Sequence, residues 1–324
     1  MARNAILFTK GDISPSIENY IENTLEKYIQ REKLKAQGVE PDIMARTKTR
    51  VNIKSFNLEE GTETEGLTIL KMGIGYVAAF LIYFFVFVYG AQVMRGVIEE
   101  KTSRIVEVMI SSVKPFQLML GKILGLAGVA LLQFLIWVSF GLLFYFLAVH
   151  FILADQLDAA QVAQAGSAGV NSDILKIFST VGAINFPLII GSFLFYFLFG
   201  YLLYAALFAA IGSAVDKESD TQQFMFPVSL PLIAAIIVLF RALDNPDGPI
   251  AVWFSMIPFT SPIVMMARIP FNIPWYELVG SMIILIASFL LMTWLAGRIY
   301  RTGILMYGKK PNFKELFKWI SYKN

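Results

Sequence analysis

Polar and apolar positions in this chain separate into long blocks, not short-period stripes. Met72 to Met94, Ile123 to Val149, Ile177 to Val215, Thr221 to Phe240 and Leu278 to Gly297 hold no charged residue. Each is long enough to cross a hydrocarbon core, which takes about 20 residues at helical rise. The pattern predicts five transmembrane helices. A sixth apolar block, Ile250 to Ala267, contains Pro258 and Pro262 and is flanked by Pro249 and Pro270. Proline inside a helix removes a backbone bond and costs roughly 3 kcal/mol. A straight sixth span is therefore disfavoured. A re-entrant helical hairpin bent at Pro258 and Pro262 avoids that cost, and irregular backbone is tolerated at membrane depth where protein covers it.

The segment ahead of the first span, residues 1–71, has a different grain. Ser14-Pro15 supplies a helix cap and a first-turn proline. Ile17, Ile21, Leu25, Tyr28 and Ile29 then form one apolar stripe. Ala5 to Phe8 and Arg50 to Lys54 read as short strands, the second alternating through Val51 and Ile53. The expectation is a small α/β unit. At the other end, Phe313, Leu316, Phe317 and Ile320 follow helical spacing among lysines. Residues 301–324 are expected to form an amphipathic tail on a lipid surface, against a solvated, irregular end as the alternative. Within the third block, Ala205, Ala209 and Ser213, with Ala206, Ala210 and Ala214, recur every four residues. Small faces of this kind let helices approach closely in lipid, either within one subunit or across a dimer seam.

Composition supports the membrane reading. Hydrophobic residues make up 56% of the chain and charged ones 16%, against about 45–50% and 25% in soluble domains. With no cysteine, disulfides and thiolate chemistry are excluded. The net charge of +3 is small, but its placement is informative. Arg95, Lys101, Arg104, Lys114 and Lys122 lie between the first two blocks, and Arg298, Arg301 and several lysines follow the last. The positive-inside rule puts both groups in the cytoplasm. Five spans with an outer hairpin satisfy this and leave residues 1–71 outside. That segment is charged and holds no signal-peptide stretch. An earlier span preceding it is therefore expected.

Chemistry for bond-making is sparse. Gly121-Lys122 lacks the rest of a phosphate-binding loop, and His150 is a lone histidine at a span end. Gly166-Ser167-Ala168-Gly169 has no histidine base near it and reads as a flexible polar loop. The polar groups inside the spans are neutral: Gln92, Gln133, Asn185, serines and tyrosines. Each suits a bond to another helix. Ion-coupled transporters keep ionisable groups at membrane depth, so an external energy source is implied.

The most informative segment is the charged stretch between the first two spans. It runs from Glu99-Glu100-Lys101 through Arg104-Ile105-Val106-Glu107-Val108-Met109 to Lys114-Pro115-Phe116 and Gly121-Lys122. On one helix, Ile98, Ile105, Met109 and Val113 would share an apolar face, and Pro115 would break it. This stretch closely resembles the first cytoplasmic loop of ABC-2-type exporter permeases, with Glu100-Lys101, Ile105, Glu107, Met109 and Gly121-Lys122 in register. Val215 to Gln223 resembles the second cytoplasmic turn of that family. Pro258-Phe259-Thr260-Ser261-Pro262 resembles its outer hairpin. The likeness covers roughly residues 72–300, and the subgroup with a large extracytoplasmic domain includes sodium-export-type permeases.

The resemblance implies an all-α polytopic membrane protein of the inner (plasma) membrane. It would have five transmembrane helices plus an outer re-entrant hairpin and a small α/β extracytoplasmic N-terminal segment, with residues 72–300 as the transmembrane domain. It implies a dimeric permease driven by a separate cytoplasmic ATPase, with Glu99, Glu100, Lys101, Arg104, Glu107, Lys114, Pro115 and Phe116 at the coupling contact. No cofactor or nucleic acid would be bound by this chain; ATP and magnesium would belong to the partner. An integral membrane enzyme and a non-transporting scaffold are the competing classes. Co-purification with an ATPase separates them.

Overall fold

The computed structural model describes residues 4–9, 15–37, 52–57, 64–156, 184–216 and 220–307, with Glu315, Lys318 and Trp319. The serine-containing loop at 166–169, His150's side chain and most of the tail helix pattern lie outside the described residues.

The N-terminal unit is a β-α-β arrangement. Strand β1 (Asn4–Thr9) is followed by α1 (Pro15–Gln37) and β2 (Asn52–Asn57). The strands pair in parallel, from Asn4 opposite Asn52 to Thr9 opposite Asn57. Parallel strands need a crossover, and α1 supplies it. Proline starts α1, as the cap pattern predicts.

The membrane part begins with α2 (Thr64–Thr102), which starts eight residues before Met72. A short helix α3 (Ile105–Ile110) follows, then α4 (Pro115–Gln156), α5 (Phe186–Ala214) and α6 (Thr221–Asp244). Two short helices, α7 (Pro249–Met256) and α8 (Ser261–Arg268), precede a 3-10 turn and the final helix α9 (Trp275–Gly303). Five of these helices are long and apolar enough to span a membrane: α2, α4, α5, α6 and α9. In lipid a helix satisfies its own backbone, so apolar length alone commits the chain to these elements.

Helix α5 is the centre of the bundle. Its most apolar stretch is 72% buried, against 17–33% for the other four spans. Its small-residue face explains why. Ala205, Ala206, Ala209, Ala210, Ser213 and Ala214 are all buried inside this one chain. The repeat therefore seats neighbouring helices within the subunit and is not left free as a dimer seam. At Gly212 a Cβ would lie 2.7 Å from the Met94 carbonyl oxygen of α2, so only glycine permits this crossing. At Gly303 a Cβ would lie 3.0 Å from the Ser213 carbonyl oxygen, which brings α9 onto the same end of α5.

Of Gln92, Gln133 and Asn185, only Gln133 bonds another helix, and tyrosines make further bonds between spans. Tyr89 of α2 donates to Gln133 of α4. Tyr201 of α5 donates to the Ile123 carbonyl of α4 at 3.0 Å. Asn185 instead caps its own helix, accepting from the Leu188 N–H. An unpaired polar group in hydrocarbon costs several kcal/mol, so these bonds favour one arrangement of the spans.

The proline-bracketed block forms the predicted hairpin. Helices α7 and α8 have eight residues each, or about 12 Å apiece, too short to cross. Thr260 closes the bend by donating to the Phe254 carbonyl at 2.6 Å. Pro262 lies in the first turn of α8, where a missing N–H is harmless. The tip rests on α5: a Cβ at Gly200 would lie 2.9 Å from the Pro262 ring, and Tyr204 donates to the Phe259 carbonyl at 2.7 Å. Both ends of the hairpin return to one end of the bundle, where Trp253, Trp275 and Tyr276 are strongly exposed.

Candidate coupling site

The opposite end, which carries Lys101, Lys122, Arg298 and Arg301, gathers the charged residues between α2 and α4. The chain there is not one helix. Helix α2 stops at Thr102, where Thr102 and Ser103 hydroxyls bond back to the Ile98 and Glu99 carbonyls. Arg104 then adopts a left-handed conformation, φ 57° and ψ 9°. This conformation is uncommon outside glycine and asparagine. It re-aims the backbone and resets the helical phase.

The predicted shared face of Ile98, Ile105, Met109 and Val113 is therefore corrected. Ile98 is buried in α2, but Val106, not Ile105, anchors α3 inward with no exposed surface. Ile105 and Val108 point outward at 54% and 72% exposure, with Val113 and Phe116 also exposed. Glu99, Arg104, Glu107 and Lys114 surround them as exposed charges, and Pro115 starts α4.

Two candidate residues face inward instead. Lys101 is 1% exposed. Its ammonium donates to the Ser213 carbonyl at 2.7 Å and pairs with Asp216 at 2.9 Å. It thus places a cation against the C-terminal end of α5, the favourable sign for a helix dipole. Glu100 pairs with Lys122 of α4 at 2.7 Å. Phe116 packs over α9, where a Cβ at Gly297 would come within 2.6 Å of its ring. The outward face of α3 is thus exposed, while the flanking ends of α2 and α4 are tied to each other, to α5 and to α9.

Tyr307, just beyond α9, closes the same cluster. Partial burial and the Glu107 carboxylate beside it raise the phenol above its ordinary pKa. The sequence reading gave this residue no role, and its spacing carries no signal. Arg268 was also missed. It is fully buried at the hairpin end, with Nε donating to the Pro246 carbonyl at 2.6 Å, Nη1 to Ser255 at 2.7 Å and Nη2 to Glu277 at 2.7 Å. One arginine thereby joins the α6–α7 connection, α7, α8 and α9. An arginine directly after an apolar, proline-bracketed block, with a glutamate nine positions on, was the available signal. Pro258, Phe259, Thr260 and Pro262 come together at the hairpin tip, far along α7 and α8 from this clamp.

Among the described residues, no three histidine or carboxylate side chains are placed to hold a metal ion. The charged groups at this end pair across helices, with Lys101 on Asp216 and Glu100 on Lys122. Five spans, a re-entrant hairpin and a short helix projecting between the first two spans define a multi-pass transporter membrane component. The chain belongs to the ABC-2 transporter family: the description "ABC-2 family transporter protein" matches residues 4–298. It is similar to the uncharacterized protein YhaP of Bacillus subtilis, 30% identical over 86% of this chain and 62% of that protein. An uncharacterized protein of Methanocaldococcus jannaschii is 28% identical over 94% of this chain and 67% of its own length. The chain thus spans about two thirds of the length of these relatives. No solved structure matches it.

Proposed function

We propose that this chain is the membrane-spanning permease subunit of an ATP-driven exporter, working as a dimer in the inner (plasma) membrane. A separate cytoplasmic ATPase docks on α3 and its flanks, from Glu99 to Phe116, and holds the ATP and magnesium. Residues 1–71 lie outside, and the hairpin bent at Pro258, Phe259, Thr260 and Pro262 closes the outer end of the path. Basic residues at the α3 end support this orientation.

One observation carries the reading. Helix α3 exposes Ile105 and Val108 at the end of a bundle, ringed by Glu99, Arg104, Glu107 and Lys114. An apolar centre with a charged rim is the anatomy of a protein contact. The last turn of α2, just before α3, is held by Lys101–Asp216 and Glu100–Lys122. Force applied to α3 would therefore reach α4 and α5 through the end of α2.

The test is a photoreactive amino acid placed at Val108 in the full chain in native membranes. It should cross-link an ATP-hydrolysing subunit, and the same probe at Trp253 should not. Equal capture of that subunit at both positions, or none at Val108, would refute docking on α3.

A further inference from the structure

The coupling reading leaves open what fixes the angle of α3. Its only covalent joint to α2 passes through Ser103 and Arg104, and Arg104 holds a left-handed conformation that a non-glycine residue adopts at a cost. Such a joint persists when surrounding contacts over-determine it. Those contacts converge on one ring. The Lys101 ammonium lies 5.8 Å and the Arg104 guanidinium 6.0 Å from the centre of the Tyr307 ring. Both are at the outer edge of the distance at which a cation is attracted to an aromatic face. The Glu107 carboxylate of α3 lies close enough to the phenol of the same ring to raise its pKa. Lys101 in turn bonds Ser213 and Asp216 at the end of α5.

We infer that Tyr307 is a positioning residue that clasps α3 to the inner ends of α2, α5 and α9, so that the docking helix and the bundle move as one body. This rests on α3 being the docking element for its use, but not for its geometry. The ring has both cations over it and the Glu107 carboxylate beside it, so one side chain meets the last turn of α2, the joint and the first turn of α3. Val106, fully buried, supplies the apolar anchor beneath. Tyr307 is held by its position four residues after the end of α9, where Ile304 is fully buried.

The native chain has no cysteine, so paired spin labels report cleanly. Labels at Val108 and Gln222, both exposed, measure α3 against the start of α6; labels at Gln117 and Gln222 measure the bundle alone. The full chain is used in lipid nanodiscs without any ATPase. The native protein should give one narrow Val108–Gln222 distance. Y307A should lose it, while the Gln117–Gln222 distance stays unchanged. Y307F, which keeps the ring and loses the hydroxyl, should retain the central distance with a wider spread. An unchanged Val108–Gln222 distribution in Y307A would overturn the clasp. Equal broadening of both pairs would also overturn it, because Tyr307 would then support the bundle in general. The measurement needs no partner, so loss of cross-linking at Val108 and failure of the clasp are separate outcomes.

Discussion

Replacing Arg268 by methionine should loosen the hairpin more than any other single change at its open end. The guanidinium has no exposed surface and donates to Pro246, Ser255 and Glu277. Removing one partner of a buried ion pair costs about 3–5 kcal/mol, because the remaining charge stays buried. Glu277 keeps 15% of its side-chain surface, so water offsets part of that penalty and the lower end, about 3 kcal/mol, is expected. The orphaned Pro246 carbonyl adds about 1 kcal/mol or more. Asp247 lies 3.9 Å from the guanidinium but is 81% exposed, so it is too well solvated to matter in this sum. E277L strands the arginine instead and should be comparably damaging. The double variant R268M/E277L removes both charges, and such replacements are often near neutral. The assay is reversible unfolding in mixed micelles, with all three variants compared in a double-mutant cycle. The expected order is a double variant milder than either single one. A double variant as costly as the sum of the two would refute the idea that Arg268 and Glu277 act as a pair.

Three further outcomes follow from the packing. Cysteines at Asp247 and Asn272, which lie at the two ends of the hairpin, should both react with an impermeant thiol reagent from outside; Asn272 reacting only from the cytoplasm would make the hairpin a sixth span. G212A should lower folded yield, since its methyl would meet the Met94 carbonyl at 2.7 Å, whereas G121A should be silent because nothing lies within 4 Å there; detergent-solubilised gel filtration distinguishes them. K101M removes the cation from Asp216, which is 26% exposed, and from the Ser213 carbonyl, so stability should fall by about 1–3 kcal/mol, less than for a fully buried pair; micelle unfolding measures it, and no change would show that the cation is not needed at the end of α5.

Much of this fold was legible because lipid removes choices. Charge-free blocks such as Met72 to Met94 can only be helical in hydrocarbon. The prolines at 258 and 262 exposed the hairpin for the same reason: a straight helix would have to break its own bonds. The β-α-β unit was readable from the Ser14-Pro15 cap and the alternation at Val51 and Ile53, although β2 runs to Asn57, beyond the predicted Lys54. The alanine repeat of α5 was visible, but its use was not; burial alone showed that it packs within the subunit. The joint at Arg104 was not legible. Nothing in the residue type asks for a positive φ, and only tertiary contacts hold it there. That one turn rotated α3 so that Ile105 and Val108 face outward and Val106 inward. Likewise, Lys101 looked like one more surface charge in a polar run, because its partners lie more than a hundred residues away. Long-range pairs such as Arg268 with Pro246, and Tyr307 with Lys101, carry no periodic signature.

The most direct test of the central claim is ATP hydrolysis that travels with the chain. The full-length protein is purified from its native membranes in parallel with I105E/V108E, which places two carboxylates on the exposed face of α3. The native chain should bring an ATP-hydrolysing subunit through purification. The variant should insert and fold normally yet lose both that subunit and the hydrolysis. A native chain that carries no ATP-hydrolysing subunit, or a variant that retains it undiminished, would contradict the account.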